Sequence, residues 1–370
     1  MATGITTYQC PACTGPLHFV GESGKLECDY CGMTYDVAEI EKLFSEKEEA
    51  SVAAQKKAEA AQERERAAAE EMGMTWDSQE SAGMKSYNCP SCGAELICDA
   101  TTAATSCPYC GNPTIVPGQF TGGLKPELVI PFKLDKKAAV DALKKYYRGK
   151  KFLPKAFSEQ NHIEEIQGVY VPFWLCDCNM DGSVVYHAKN IRTWKEGNYE
   201  ITETDHYQVE RSGSIGFEKI PVDASTKMPD AHMDAIEPYD YSELKAFSTA
   251  YLPGYLADKY DVSHQESIPR IKIRAKNSAR EELRNTVTGY SSVDVKNESF
   301  RFSESETKYA LMPVWMLSTK WNGKNFLFAM NGQTGKLVGD LPVDKGKYYA
   351  WFAGISVPLM ILIMGFWFLL

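Results

Sequence analysis

The sequence predicts a multi-domain chain: small β modules near the start, an α+β body, and one terminal helix of membrane-spanning length. Three observations predict it. A four-cysteine pattern occurs twice in the first third, a Pro-aromatic-Trp strand signature occurs twice in the body, and the final 23 residues carry no charge. The chain has 370 residues, more than one ordinary core accommodates. Apolar content is 44% and charged content 24%, the balance of a globular protein, while 12% aromatic residues favour a β-rich body. The net charge of −9 shows no basic excess of the kind that grips phosphate backbones.

Eight of eleven cysteines lie in Cys-x-x-Cys pairs. Cys10, Cys13, Cys28 and Cys31 recur as Cys89, Cys92, Cys107 and Cys110, each shifted by 79 residues, and Tyr30-Cys31-Gly32 recurs as Tyr109-Cys110-Gly111. One small module is therefore duplicated. A Cys-x-x-Cys places two sulfurs on one tight turn, and a second such turn across a short hairpin completes a tetrahedron with Zn–S near 2.3 Å. Four thiolates leave no open position for water, so both sites are structural and not catalytic. The pattern predicts two zinc ribbons holding two structural Zn²⁺ ions, although four sulfurs also accept iron. Duplication argues against redox-active pairs. The opening Met1-Ala2-Thr3-Gly4 lacks the basic and apolar regions of a signal peptide, and thiolate ligands need a reducing compartment, so this part is expected in the cytoplasm.

In the first module Leu17–Val20 and Lys25–Glu27 are the expected hairpin arms, with Gly21 and Gly24 in the turn. Ribbon one is expected over 1–37 and ribbon two over 84–120. Residues 38–83 between them read as a helical spacer and joint: Val37 to Glu71 is rich in Ala, Glu, Lys, Arg and Gln, without Pro or Gly. As a helix it would reach roughly 50 Å. Its large apolar residues, Ile40, Leu43 and Phe44, are too few for a coiled-coil seam. Met72 to Met84, with two glycines, reads as a flexible joint.

Residues 121–344 are expected to form the α+β body. Val129–Leu134 reads as a strand, and Asp135 as the cap of a helix over Lys136–Arg148. Val169–Cys176 is a strand, Asp181-Gly182 a hairpin turn, and Ser183–Ala188 the returning strand. Leu311-Met312-Pro313-Val314-Trp315-Met316 echoes Tyr170-Val171-Pro172-Phe173-Trp174-Leu175, with Asn322-Gly323 as its turn and Phe326–Met330 as its return. The body is thus a pseudo-repeat of Pro-Trp β-hairpins, with helices expected at Leu256–Lys259 and Ser267–Leu283 and the prolines at edges or bulges.

Residues 345–370 are the expected transmembrane anchor. The uncharged stretch Tyr348–Leu370 is long enough to cross a ~30 Å hydrocarbon layer. Tyr348, Tyr349 and Trp351 form an aromatic belt, and Lys345 and Lys347 outside it place the bulk of the chain on the cytoplasmic side.

Catalytic signatures are missing. There is no P-loop, no Gly-x-Ser-x-Gly elbow and no His-Glu-x-x-His. The six histidines are scattered, and Glu164-Glu165 and Glu281-Glu282 read as solvated helix faces. Trp174, Trp194, Trp315 and Trp321 read as core or strand anchors. Cys98 reads as a small buried hydrophobe. Cys176 and Cys178, with Asp177, Asp181 and His187, offer at most a third metal site or an incomplete reactive centre. Tyr8, Tyr30, Tyr87 and Tyr109 could stack bases. Yet residues 5–37 hold one lysine against four acids, and 84–117 one lysine against two, which counts against nucleic acid.

The layout resembles the bacterial membrane-anchored proteins described as containing a TFIIB-type zinc ribbon. The two Cys-Pro-x-Cys ribbons carry it, together with His162–Trp174, Ser248–Tyr255 and Leu327–Lys336. Members are often labelled primosomal, or replication-restart, helicases, an activity that needs the P-loop this chain lacks. The resemblance implies a cytoplasmic ribbon array held at the membrane and a role in docking membrane-stress scaffold proteins. The expected function is a non-enzymatic adaptor that binds protein partners through its ribbons and the bilayer through 348–370. The alternative is a nucleic-acid-binding ribbon protein associated with replication or transcription.

Overall fold

The computed structural model describes residues 10–11, 17–21, 23–28, 32–42, 74–104, 106–112, 115–118, 120, 123–155, 157 and 163–369. Cys13 and Cys31, Tyr8 and Tyr30, and most of the expected spacer, 43–73, lie outside them. The chain divides into two compact units, Met1–Ser78 with Thr121–Lys125 and Thr319–Phe326, and Gln79–Phe120 with Pro126–Ser318 and Leu327–Leu370.

The first unit holds a three-stranded antiparallel sheet of β1 (Leu17–Val20), β2 (Lys25–Cys28) and β3 (Thr34–Tyr35), in that order. The hairpin arms are those expected, and Gly24, at φ +65°, closes the turn by donating to the Val20 carbonyl. Leu17, Leu26, Ile40, Cys10 and Cys28 form its small core. A metal is the natural supplement to so few apolar side chains.

In the described part of the expected joint, Ser78–Ala82 is a short helix, α1, and Met84, already buried, opens a strand. The joint is thus shorter than its two glycines suggest.

The second unit is built on an eleven-stranded mixed sheet. Its strands are β4 (Met84–Asn88), β5 (Glu95–Asp99), β6 (Val116–Gly118), β7 (Leu128–Val129), β8 (Gln167–Glu196), β9 (Tyr199–Asp223), β10 (Lys245–Ala246), β11 (Leu256–Asp258), β12 (Ser292–Trp321), β13 (Lys324–Asn331) and β14 (Leu337–Gly339). The order is β10-β7-β12-β8-β11-β5-β4-β6, with β9 on β8, β13 on β12 and β14 on β13. The expected break at 120/121 is not a break in this sheet. The strands of ribbon two join it through β11, which pairs antiparallel with β5 (Ala257↔Ile97) and parallel with β8 (Leu256↔Val169). Leu256–Lys259, expected as a helix, is therefore a strand. All three β11 residues are buried between two neighbours, which a single helical turn could not satisfy.

β8 and β12 pair antiparallel along most of their length. Their repeated segments pair with each other, Tyr170↔Pro313, Val171↔Met312 and Pro172↔Leu311, so the pseudo-dyad of the repeat passes through Val171 and Met312. The prolines are central, not at edges. On the far side of β8, β9 leaves at Phe173 and β11 begins at Tyr170, so the missing Pro172 N–H falls in the gap between them. Its carbonyl accepts from Ala224, and the Pro313 carbonyl accepts from Gly332. Trp174 and Trp315 are buried, and each indole N–H donates to a backbone carbonyl, of Val262 and Leu134 respectively. Trp194 instead is exposed on the β8–β9 hairpin.

Asp181-Gly182 is not a turn. β8 runs through it and reverses at Gly197, φ +62°. Gly182 serves side-chain packing: a Cβ there would lie 2.6 Å from the Phe300 ring across the strand pair. Asn322-Gly323 does turn, at φ +49° and +74°, as a two-residue hairpin requires. Val129–Leu134 contributes only β7, at its start.

Four further helices lie wholly among the described residues. Helix α2 (Lys136–Tyr147) is capped by Asp135, whose carboxylate accepts from the Ala138 N–H, as expected. Helix α3 spans Asp230–Ile236. Helix α4 (His264–Asn285) starts in a Ser263/Glu266 capping box, one turn before the expected Ser267. Its buried Ile271, Ala275, Ala279 and Leu283 recur every four residues and cover alternate β8 residues from Cys176 to Ala188. Helix α5 spans Lys345–Leu369. Arg270 and Arg274 of α4 tie it to α3 and to the end of β9: Arg270 bonds Asp223 (2.5 Å) and Asp234 (2.6 Å), and Arg274 bonds Asp234 (3.0 Å) and Glu237 (2.9 Å).

Candidate metal centre

Cys89 closes β4, and Cys92 follows on the same turn. The Cys89 N–H donates to the Ala94 carbonyl (2.9 Å), and the Gly93 N–H to the Cys89 carbonyl (2.8 Å). Cys107 repeats the geometry: its N–H donates to Asn112 (2.8 Å), and the Gly111 N–H donates to Cys107 (2.9 Å). Gly93 and Gly111, at φ +70° and +68°, supply the left-handed residue that each knuckle requires. Gly111 also meets the Ser318 carbonyl of β12, which would stand 3.3 Å from a Cβ. From β8, the Gln167 side chain donates to the Ser106 hydroxyl (2.7 Å). The second knuckle is thereby fastened to the two central strands.

The four sulfurs converge, all within 4.8 Å of one another, with Cys89–Cys110 and Cys92–Cys107 at 3.6 Å. Four sulfurs 2.3 Å from a central ion stand about 3.8 Å apart, so the set fits zinc without rearrangement. The four thiols share their protons unevenly: hydrogen bonds from neighbouring thiols, Cys107 first, hold Cys89 and Cys110 below the usual thiol range, while Cys92 and Cys107 are held above it. A cation bound among the four would displace the remaining protons and hold all of them as thiolates. Among the described residues this is the one such group.

In ribbon one, Cys10 and Cys28 are buried, and Cys28 reproduces the second knuckle: its N–H donates to Met33 (3.0 Å), Gly32 donates to Cys28 (2.9 Å), and Gly32 sits at φ +67°. The other two cysteines of that set, Cys13 and Cys31, are outside the described residues.

The remaining candidates are placed differently. Cys98 is buried in β5, its thiol raised to about 11 by burial. Cys176 and Cys178 lie with Met180 against Ile271, Ala275 and Ala279 of α4, and burial pushes Cys178 to about 12. Cys176 and Cys178 do not gather with other ligating groups among the described residues, and His187 sits on the opposite face of β8. Tyr109 is buried and cannot stack a base. The histidines are not all unpaired: His187 Nε2 and His206 Nδ1 are 3.0 Å apart. They sit diagonally across β8 and β9, where His187 faces Gln208 and His206 faces Lys189. Sequence spacing conceals this, since only the position of the β8–β9 turn brings residues 19 apart together.

Behind the second knuckle lies Asp258 of β11, fully enclosed and accepting from the Ser225 hydroxyl (2.7 Å). Burial raises its carboxyl to about 7. The folded state therefore holds the Asp258 proton more tightly than the unfolded chain. The resulting stabilisation is complete below about pH 4 and is lost as pH rises through 7, a span worth about 4 kcal/mol. Asp258→Asn keeps an acceptor for Ser225 and removes the ionisation. Urea titrations should find the variant gaining on the wild type between pH 5 and pH 8; a constant difference would place the Asp258 charge elsewhere.

Residues 9–39 match the family model of Trm112p-like proteins. The uncharacterized protein YdjG of Bacillus subtilis (strain 168) is 36% identical over 320 residues, which is 73% of this chain and 94% of that one. No solved structure matches.

Proposed function

The chain belongs to the same family as the Bacillus subtilis protein YdjG, and on that premise we propose that it is a membrane-anchored cytoplasmic adaptor without enzymatic activity. Two structural zinc ions stabilise its ribbons, and protein partners dock on ribbon one. The observation that carries this reading is the contrast between the two ribbons. The strands of ribbon two are used up in the large sheet. Ribbon one has a sheet of its own and leaves Phe19 60% and Met33 50% exposed. Exposed apolar surface on so small a module is surface that a protein partner would cover. The second ribbon is a structural brace and the first a presenting module.

Helix α5 supports the anchor. It is apolar over a length that can cross a membrane, and none of its apolar window is buried against the protein. Ile355 through Met364 include eight large apolar side chains more than half exposed around the whole helix. In water that surface would need a partner; in lipid it is already in its solvent. The lysines at its start favour the cytoplasmic side for the body. The resemblance to membrane-anchored zinc-ribbon proteins suggests membrane-stress scaffold proteins as the class of partner.

An affinity pulldown from detergent-solubilised membranes tests the proposal. Deleting 345–370 should move the protein to the soluble fraction. Phe19→Ala/Met33→Ala should lose a partner that the wild type retains. If every retained protein survives both the double substitution and Cys10→Ser/Cys13→Ser, ribbon one docks nothing.

A further inference from the structure

The segment beside the start of α5 has a charge unlike the rest of the chain. Residues 144–155 read Lys-Lys-Tyr-Tyr-Arg-Gly-Lys-Lys-Phe-Leu-Pro-Lys: six cations and no acid, in a protein with 49 acids against 40 bases. Lys144, Lys145, Arg148, Lys150, Lys151 and Lys155 are all exposed. They stand on a fixed frame, because Leu143, Tyr147, Leu153 and Phe157 between them are buried. The turn after α2 is set by Gly149 at φ +77° and by the Leu153 N–H donating to the Lys150 carbonyl (3.1 Å).

This frame is fastened to the start of α5. The Asp344 N–H donates to the Phe152 carbonyl, and the Lys347 ammonium to the Leu153 carbonyl, both at 2.8 Å. The Phe152 ring meets Tyr348 and Trp351 edge-on, at 5.8 and 6.4 Å between centroids. The Lys151 ammonium lies 4.3 Å from the centre of the Trp351 ring. An aromatic belt settles at the depth of lipid headgroups. A cation resting on a belt tryptophan is therefore held at that same depth, and its neighbours in the segment stand beside it. Asp344, at the start of α5, is engaged by Lys347 (3.7 Å).

We propose that residues 144–155, with Lys345, form a basic collar that binds the anionic phospholipid headgroups surrounding α5. The proposal rests on the reading of α5 as a membrane span. Clusters of this size just cytoplasmic of a span attract anionic lipid, and the attraction is confined to about a Debye length of the surface, where the Trp351 contact keeps these charges. The span itself holds the collar at the bilayer, so even modest headgroup affinity fills it. The direct contact with the span favours lipid over nucleic acid, since Tyr147 is buried and Phe152 packs on Tyr348 and Trp351.

The full chain is reconstituted into vesicles of equal parts phosphatidylcholine and phosphatidylglycerol, then re-extracted, and the retained lipid is measured by native mass spectrometry. The wild type should retain phosphatidylglycerol over phosphatidylcholine by roughly threefold or more. Lys150→Gln/Lys151→Gln/Lys155→Gln should retain the two equally, and Lys144→Gln/Lys145→Gln, away from the α5 contact, should retain an intermediate ratio. Flotation after an alkaline carbonate wash, run on the same vesicles, reports the span alone. Protein that floats but shows no enrichment, or enrichment unchanged in the triple variant, overturns the collar and leaves the anchor standing. Protein stripped by carbonate overturns both. Retention of an added duplex oligonucleotide that is lost in the triple variant, without lipid enrichment, would reassign the surface to nucleic acid.

Discussion

Cys107→Ser should sharply lower the urea midpoint of the body, whereas Cys28→Ser should leave it unchanged. The difference follows from where the two knuckles are fastened. Cys89 and Cys107 belong to the same buried cluster as Val169, Phe173 and Met312, the centre of the large sheet. Cys28 belongs to a separate small core with Leu17, Leu26 and Ile40. Binding of zinc to four-ligand sites of this kind supplies about 10–16 kcal/mol, as much as the whole net stability of an ordinary domain, about 5–15 kcal/mol. Loss of one sulfur in ribbon two also leaves three thiols crowded in an apolar setting beside the sheet. Urea unfolding followed by tryptophan fluorescence reads the result, since Trp174 and Trp315 are buried in the body. Metal content measured on each sample should fall in both variants, while the body's midpoint should move only for Cys107→Ser. A strong chelator should reproduce the Cys107→Ser curve with the wild-type chain. Equal midpoints for both variants would show that the sheet holds its shape without the ion.

Arg270→Ala should cost about 3–5 kcal/mol, the usual penalty for stranding one partner of a buried ion pair. The Asp223 side chain is 1% exposed, and the Arg270 guanidinium is its closest ion-pair partner. Burial already raises the Asp223 carboxyl to about 6 despite Arg270. Without the guanidinium that value rises further, and Asp223 takes up a proton. The cost should therefore be larger at pH 8 than at pH 5, because protonation relieves the stranded charge. Arg270→Met/Asp223→Asn, which removes both charges, should recover most of the stability. A loss independent of pH, or one the double variant does not relieve, would mean that Arg270 acts through packing alone.

The metal knuckles were readable in sequence because their determinants are local. Two cysteines three apart and a following glycine fix a turn whatever surrounds them, and the Asp135 cap fixes a helix start in the same way. The misread elements depend on partners far along the chain. Gly182 resembles a turn residue, but its role is to admit the Phe300 ring from a strand over a hundred residues away. Leu256–Asp258 is too short to show a period, and its strand conformation comes from two neighbours distant in sequence. Pro172 and Pro313 break the rule against central prolines because the adjoining strand changes at each of them, a gap visible only once the sheet is assembled. The incorporation of ribbon two into the sheet escaped for the opposite reason. Its cysteine pattern is identical to that of ribbon one, and a shared local signature carries no information about what the outer edge of each module meets.

The pairing of Val171 with Met312 also governs the order in which the protein can be made. Its two strands leave the ribosome more than a hundred residues apart, so the centre of the sheet has nothing to close against until most of the chain has emerged. Ribbon one, whose described strand pairings are all short-range, can mature in the meantime. Translation thus delivers a finished N-terminal module ahead of its scaffold, and the half-built sheet, with long unsatisfied edges, is the stage at which a chaperone would be needed most.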